Sequence, residues 1–109
     1  MGANANRTGA PIAAAITTAG TPGSATEVRT FDRPARPVYV TNCHASDILY
    51  VKVNADDAGD TDFLVKLVAG QAVELSSRGI LNVQTVSLYY ATAAYSNAKV
   101  VGWSFGSNA

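Results

Sequence analysis

From Thr26 onward the large apolar side chains tend to recur at every second position, the spacing of strands that bury one face and expose the other. In Val38-Tyr39-Val40-Thr41-Asn42-Cys43, Val38 and Val40 share a face; between Ile48 and Val53, Leu49, Val51 and Val53 alternate with Ile48, Tyr50 and Lys52. Both segments are predicted to be strands. A further strand is expected over Asp62 to Val68, with Phe63, Val65 and Leu67 on one side and Lys66 on the other. Ala69-Gly70-Gln71 then marks a tight turn into Val73-Glu74-Leu75, which predicts a hairpin. Between Ile80 and Tyr90, Leu81 and Val83 face one way while Val86, Leu88 and Tyr90 face the other, so a bulge or bend is expected near Gln84. Val101, Trp103 and Phe105 belong to a last strand.

Six or seven short strands with almost no helical pattern predict an all-β fold, an antiparallel β-sandwich or small jelly-roll-like barrel. No repeat of solenoid or propeller length is present. Residues 1–25 break the pattern, because Ala, Thr, Gly, Asn and Ser dominate and Ile12 and Ile16 are the only large aliphatic groups. Such a segment has too little apolar surface to offset the entropy of ordering itself. The domain organisation read from this is an extended low-complexity arm, residues 1–25, and one β-sandwich domain, residues 26–109. The arm is expected to lie on a partner surface: a neighbouring chain's by preference, the edge of its own body as the alternative. Arg7 and the following Ala-rich stretch only faintly imitate a signal peptide, and Asn6 stands where a myristoylation motif wants Ser or Thr. Neither processing event is expected.

Composition narrows the partners. The 109-residue chain is 15% charged, against roughly 25% in a typical soluble protein, and its 8 basic residues balance its 8 acidic ones. Zero net charge removes the electrostatic case for nucleic acid or an anionic membrane, and leaves little to keep copies apart. No apolar run reaches the length of a spanning helix, so a soluble chain is expected, with other protein as its partner. The single cysteine, Cys43, excludes an internal disulfide and a Cys-rich zinc site.

Candidate chemistry is sparse. Any Ser-His-Asp or Cys-His arrangement must use the single histidine, His44, and its neighbour Cys43 would meet it only if a turn begins there. A buried cysteine and a turn histidine are the plainer reading, so no enzyme activity is expected. Asp56, Asp57, Asp60 and Asp62 crowd hard oxygen ligands into one Gly-containing loop, which could suit calcium. The spacing lacks the helix-loop-helix pattern, and the expectation is a solvated hairpin tip without metal. No Gly-rich phosphate loop is present, and no cofactor is expected. Arg29, Arg33 and Arg36 gather around Pro34 and Pro37, where a solvated or interface loop is the default. Tyr39, Tyr50, Tyr89, Tyr90, Tyr95 and Trp103 could build a sugar platform, but exposed Tyr in a charge-poor protein points first to a protein interface. Because Tyr89 and Tyr90 face opposite sides of a strand, at least one should point away from the core. The interface candidates are Ile12, Ile16, Tyr89 and Tyr90.

The succession Val38-Tyr39-Val40-Thr41-Asn42, Ile48-Leu49-Tyr50-Val51-Lys52-Val53, Ala69-Gly70-Gln71-Ala72-Val73-Glu74-Leu75, and Val86-Ser87-Leu88-Tyr89-Tyr90 through Val100-Val101-Gly102-Trp103 resembles the small β-sandwich virion proteins of tailed bacteriophages. The resemblance covers residues 37–105. It implies a structural virion protein, foremost a capsid decoration or cement protein on the particle surface, assembled in the host cytoplasm. Its partners would be the major capsid protein or another virion protein, with a homo-oligomer, a trimer by that resemblance, as its own state. A carbohydrate-binding or adhesion module of a phage fibre or tail is the alternative. The resemblance carries over no catalytic residue.

Overall fold

The computed structural model describes residues 11–54, 57–75 and 82–104. They form an all-β sandwich of antiparallel strands: β1 (Pro11–Ala13), β2 (Ala15–Thr18), β3 (Glu27–Asn42), β4 (Leu49–Val53), β5 (Val65–Leu67), β6 (Ala72–Glu74), β7 (Val83–Tyr89) and β8 (Ala98–Ser104), with a short 3-10 turn, Tyr95–Asn97, before β8. The strand β3 organises everything else. Its first half pairs with β7, from Glu27↔Leu88 to Thr30↔Thr85, and on its other side with β2. Its second half pairs with β8, from Val38↔Gly102 to Asn42↔Ala98, and on its other side with β6. One sheet therefore runs β2-β3-β7-β4-β5 and the other β1-β8-β3-β6, with β3 passing from one layer to the other.

The crossing is written in the side chains. Glu27, Arg29, Phe31 and Ala35 follow one phase, whereas Val38, Val40 and Asn42 follow the other, and the pairing with β8 slips between Ala35 and Val38. One extra residue on β3 is a bulge, which reverses the faces and bends the strand. Phe31, fully buried at the bend, lies over Gly102: a Cβ there would sit 2.8 Å from Ala35 Cβ and 3.0 Å from the Phe31 ring. Gly102 is thus the gap into which the corner packs. The core continues through Val38, Val40, Leu49, Val51, Val65, Leu67, Leu75, Val83, Val86, Leu88 and Tyr90.

Most expected faces are found: Leu49 and Val51 point inward, and the buried phase along β7 changes between Val83 and Val86, at the position expected for a bend. Three expectations are corrected. The turn around Gly70 exists, with Gly70 at φ +77°, but β5 pairs with β4 and β6 with β3. The chain there changes sheets instead of closing a hairpin, because Asn42 intercepts the turn: Gly70 N–H donates to Asn42 O, and Asn42 N–H donates to Gln71 O. Phe63, expected inside, lies outside β5 and is exposed. The hairpin that does form is β4–β5, so the acidic loop is indeed its connection. Finally, the described part of the arm lies on its own chain: Pro11–Ala13 pair with Trp103 to Val101, and β2 pairs with β3. Its edge-strand alternative is the arrangement present over residues 11–18; residues 1–10, like Asp56, Ile80, Leu81 and Phe105, lie outside the described residues.

Candidate functional site

Asn42 follows Val38 and Val40 in phase, so its amide points inward, where an unpaired polar group would be costly. Its environment satisfies it completely. Nδ2 donates to Asp47 O at 2.8 Å and to Leu67 O at 2.9 Å, while Oδ1 accepts from His44 N–H at 3.0 Å and from the Tyr90 hydroxyl. The amide thereby ties together the end of β3, the 43–48 turn, β5 and the end of β7.

The adjoining turn is closed by its own side chains. His44 Nδ1 accepts from Ser46 N–H at 3.1 Å and from Asp47 N–H at 2.8 Å, which leaves Nε2 to carry the proton of the neutral ring. Asp47 Oδ1 accepts from Ile48 N–H, and Oδ2 accepts from Thr92 N–H, Thr92 Oγ1 and Ala93 N–H. Partial burial acts to raise the Asp47 pKa, but these donors outweigh it and hold the carboxyl below its ordinary value. The Tyr90 hydroxyl is pushed up to about 12, first by burial and then by the nearby Cys43 and Asp47, with Arg29 opposing. Cys43 is free and exposed, and no hydrogen bond joins it to His44. A turn does begin there, and the imidazole is engaged in forming it.

Arg29, expected in a solvated or interface loop, instead lies largely buried between the layers. Its Nε donates to Glu27 Oε2 at 2.7 Å, Nη1 to Ala98 O and Nη2 to Tyr95 O, so one guanidinium pins the first sheet to the start of β8. Arg33, by contrast, is exposed beside Asp32.

Among the described residues of the acidic loop, Asp57, Asp60 and Asp62 do not form a cluster of ligands. Asp62 forms an ion pair with Lys52 at 2.8 Å, and Gly59 and Asp62 close a tight turn through reciprocal backbone bonds. Among the described residues no group of three His, Cys, Asp or Glu side chains could hold a metal ion.

The interface candidates fall into three environments. Tyr90 is fully buried and is withdrawn as a contact residue, its ring packed against Tyr95 and His44. Ile12 lies against the protein's own core, on the inward face opposite Gly102. Ile16 is 58% exposed on β2, and Tyr89 is half-buried on the outer face of the first sheet, paired with Tyr50. Tyr50 also touches Phe63, giving a row Tyr89–Tyr50–Phe63 with centroid separations of 6.1 and 5.1 Å. On the outer face of the second sheet, Trp103 meets Tyr39 edge to face at 5.8 Å. Trp103 therefore packs outside the core.

Phase alone marked Asn42 as inward, a signal the sequence reading passed over. Asp47 and Arg29 had none, because the partners that tie them across the sandwich lie 45 to 69 residues away. The fold defines the class, an all-β sandwich with β3 shared between its layers. No protein-family model, curated protein or solved structure matches the chain.

Proposed function

We propose that this protein is a structural subunit of a larger assembly, a decoration or cement protein on a phage particle surface, which binds through its N-terminal sheet edge. The observation that carries the reading is the character of β2. No charged residue stands between Arg7 and Glu27, and within that stretch β2 forms the edge of the first sheet with Ile16 exposed. The other edges are blunted: β5 carries Lys66, β6 carries Glu74 and β1 begins with Pro11, which has no N–H to offer. An uncharged edge with an exposed aliphatic side chain is suited to strand addition or apolar contact with another subunit.

The edge is short, and a bulge lies between Ile16 and Thr18. Backbone pairing would therefore be local, with Ile16 supplying the apolar contact. An open groove of about 480 Å³, lined by residues including Ile12, Ala15, Thr17 and Phe31, lies alongside and adds apolar surface. The resemblance to small phage virion sandwiches supplies the setting.

The test is the solution mass of the full chain and of Ile16→Asp, by size-exclusion chromatography with light scattering. A discrete oligomer that Ile16→Asp shifts toward monomer, with an unchanged circular dichroism spectrum, is the expected result. A full-length monomer with the same mass and elution as Ile16→Asp would remove the edge-contact reading.

A further inference from the structure

We infer that the outer face of the first sheet is a binding site for a neutral pyranose saccharide, centred on the row Tyr89–Tyr50–Phe63. This site is separate from the β2 edge and does not depend on its role in assembly.

Two central strands hold two of the row's three rings. Tyr50 and Tyr89 are directly opposite in the β4–β7 pairing and so project from one face. Phe63 comes from the acidic loop, and that loop is fastened to the same sheet. Ala58 N–H donates to Ser87 Oγ, Thr26 Oγ1 donates to Ala58 O, Leu64 N–H donates to Val51 O, and Lys52 pairs with Asp62. Anchored at Ala58, Asp62 and Leu64, the loop holds Phe63 against Tyr50 while leaving the residue 40% exposed.

The surroundings select the ligand. Lys66 lies opposite Tyr50 on β5, Lys52 follows two residues along β4 on the same face, and Asp60 and Asp62 are exposed on the adjoining loop. Donors and acceptors of both signs border the aromatic rings. An anionic polymer would meet the loop carboxylates, and a cationic one the lysines. A neutral polyhydroxylated ring suits such a border: its C–H face can lie on aromatic surface while its hydroxyls bond to both lysines and carboxylates. The rings tilt by 48° and 49° from their neighbours, so the row offers no flat coplanar platform, which favours a soluble chain over a flat crystalline surface.

The test is affinity electrophoresis in native gels containing dextran, laminarin, galactomannan or hydroxyethylcellulose, with alginate as the acidic control. At least one neutral polysaccharide should retard the full-length protein. Phe63→Ala, which alters an exposed loop side chain and spares the core, should weaken that retardation about tenfold, as should Tyr89→Ala. Trp103→Ala, on the opposite sheet, should leave it unchanged. No retardation by any neutral polysaccharide, retardation by alginate alone, or retardation that survives Phe63→Ala and Tyr89→Ala would overturn the inference. So would a change of oligomeric mass in Phe63→Ala, because the row would then be a protein interface.

Discussion

Asn42 and Ile16 both occupy strands that pair with or belong to β3, yet the chain treats them in opposite ways. Around Asn42 the polar atoms are used up: its amide makes four hydrogen bonds, and the turn beside it is closed by His44 and Asp47. On β2 itself no charged residue occurs, and the aliphatic side chain of Ile16 faces solvent. One region is finished within the chain, and the other is suited to something outside it. Burial with complete pairing implies a role in specifying the fold, because any change strands several partners at once. Exposure without charge leaves a surface on which the proposed contact can be tested, because a change there costs the fold little.

The largest effect should follow from Asn42→Leu. The replacement leaves Asp47 O, Leu67 O, His44 N–H and the Tyr90 hydroxyl without their partner. A stranded buried group costs about 1–3 kcal/mol, and with some relaxation the total should be about 3–5 kcal/mol. Urea denaturation measures it, and a loss under 1 kcal/mol would show that the amide network does not hold this end of the sandwich together. Gly102→Val should come next, at about 2–3 kcal/mol, because the new side chain would collide with Ala35 and Phe31 at the β3 corner. That corner is apolar, so the pair of variants separates polar specification from shape.

The two titrating groups at the Asn42 end sharpen the comparison through pH. Tyr90 ionises at about 12 in the folded protein, above the ordinary value of 10.0, so its stabilising contribution is complete below pH 10 and is lost as pH rises toward 12. Tyr90→Phe should cost about 1 kcal/mol at neutral pH through the lost hydrogen bond to Asn42, and should flatten the alkaline fall in stability. Asp47 has the opposite sign. Its folded pKa lies below the ordinary 3.8, so its contribution is present above that value and disappears as pH falls through the lowered one. Asp47→Asn should flatten the acid limb of the stability profile, a smaller effect because the carboxylate is partly solvated. Melting temperatures between pH 2 and 12 test both, and an alkaline limb unchanged in Tyr90→Phe would contradict the assignment.

The same contrast explains what could be read from the chain. Period-two patterning placed β3's second half, β4, β7 and β8, because burial of alternate side chains is local information. It did not reveal that β5 and β6 join different sheets, since the turn at Gly70 looks like a hairpin turn and the deciding partner, Asn42, lies 28 residues earlier. The bulge that inverts β3 between Ala35 and Val38 is visible as a change of phase only once Ala35 and Phe31 are known to be inside. Tyr89 and Tyr90 were separable by alternation, but which faced the core depended on Asn42 being there to receive the hydroxyl of Tyr90. Ile12 and Ile16 looked equivalent in the sequence; pairing opposite Gly102 put Ile12 on the core, and β2's place at the sheet edge left Ile16 outside.

The smallest effect on stability should belong to Ile16→Asp, and it is the sharpest probe of the comparison. The side chain is already largely in water, so the fold loses little apolar burial and the unfolding free energy should change by less than about 0.5 kcal/mol. The new carboxylate on the edge does what Lys66 and Glu74 do on β5 and β6, making the desolvation that pairing requires costly. Association should therefore fall while the melting temperature holds, the reverse of Asn42→Leu, which should lower the melting temperature at every protein concentration. If Ile16→Asp instead lowers the melting temperature of the dilute protein by as much as Gly102→Val does, the β2 edge is part of what holds the sandwich together, and the distinction between a finished end and an open edge fails.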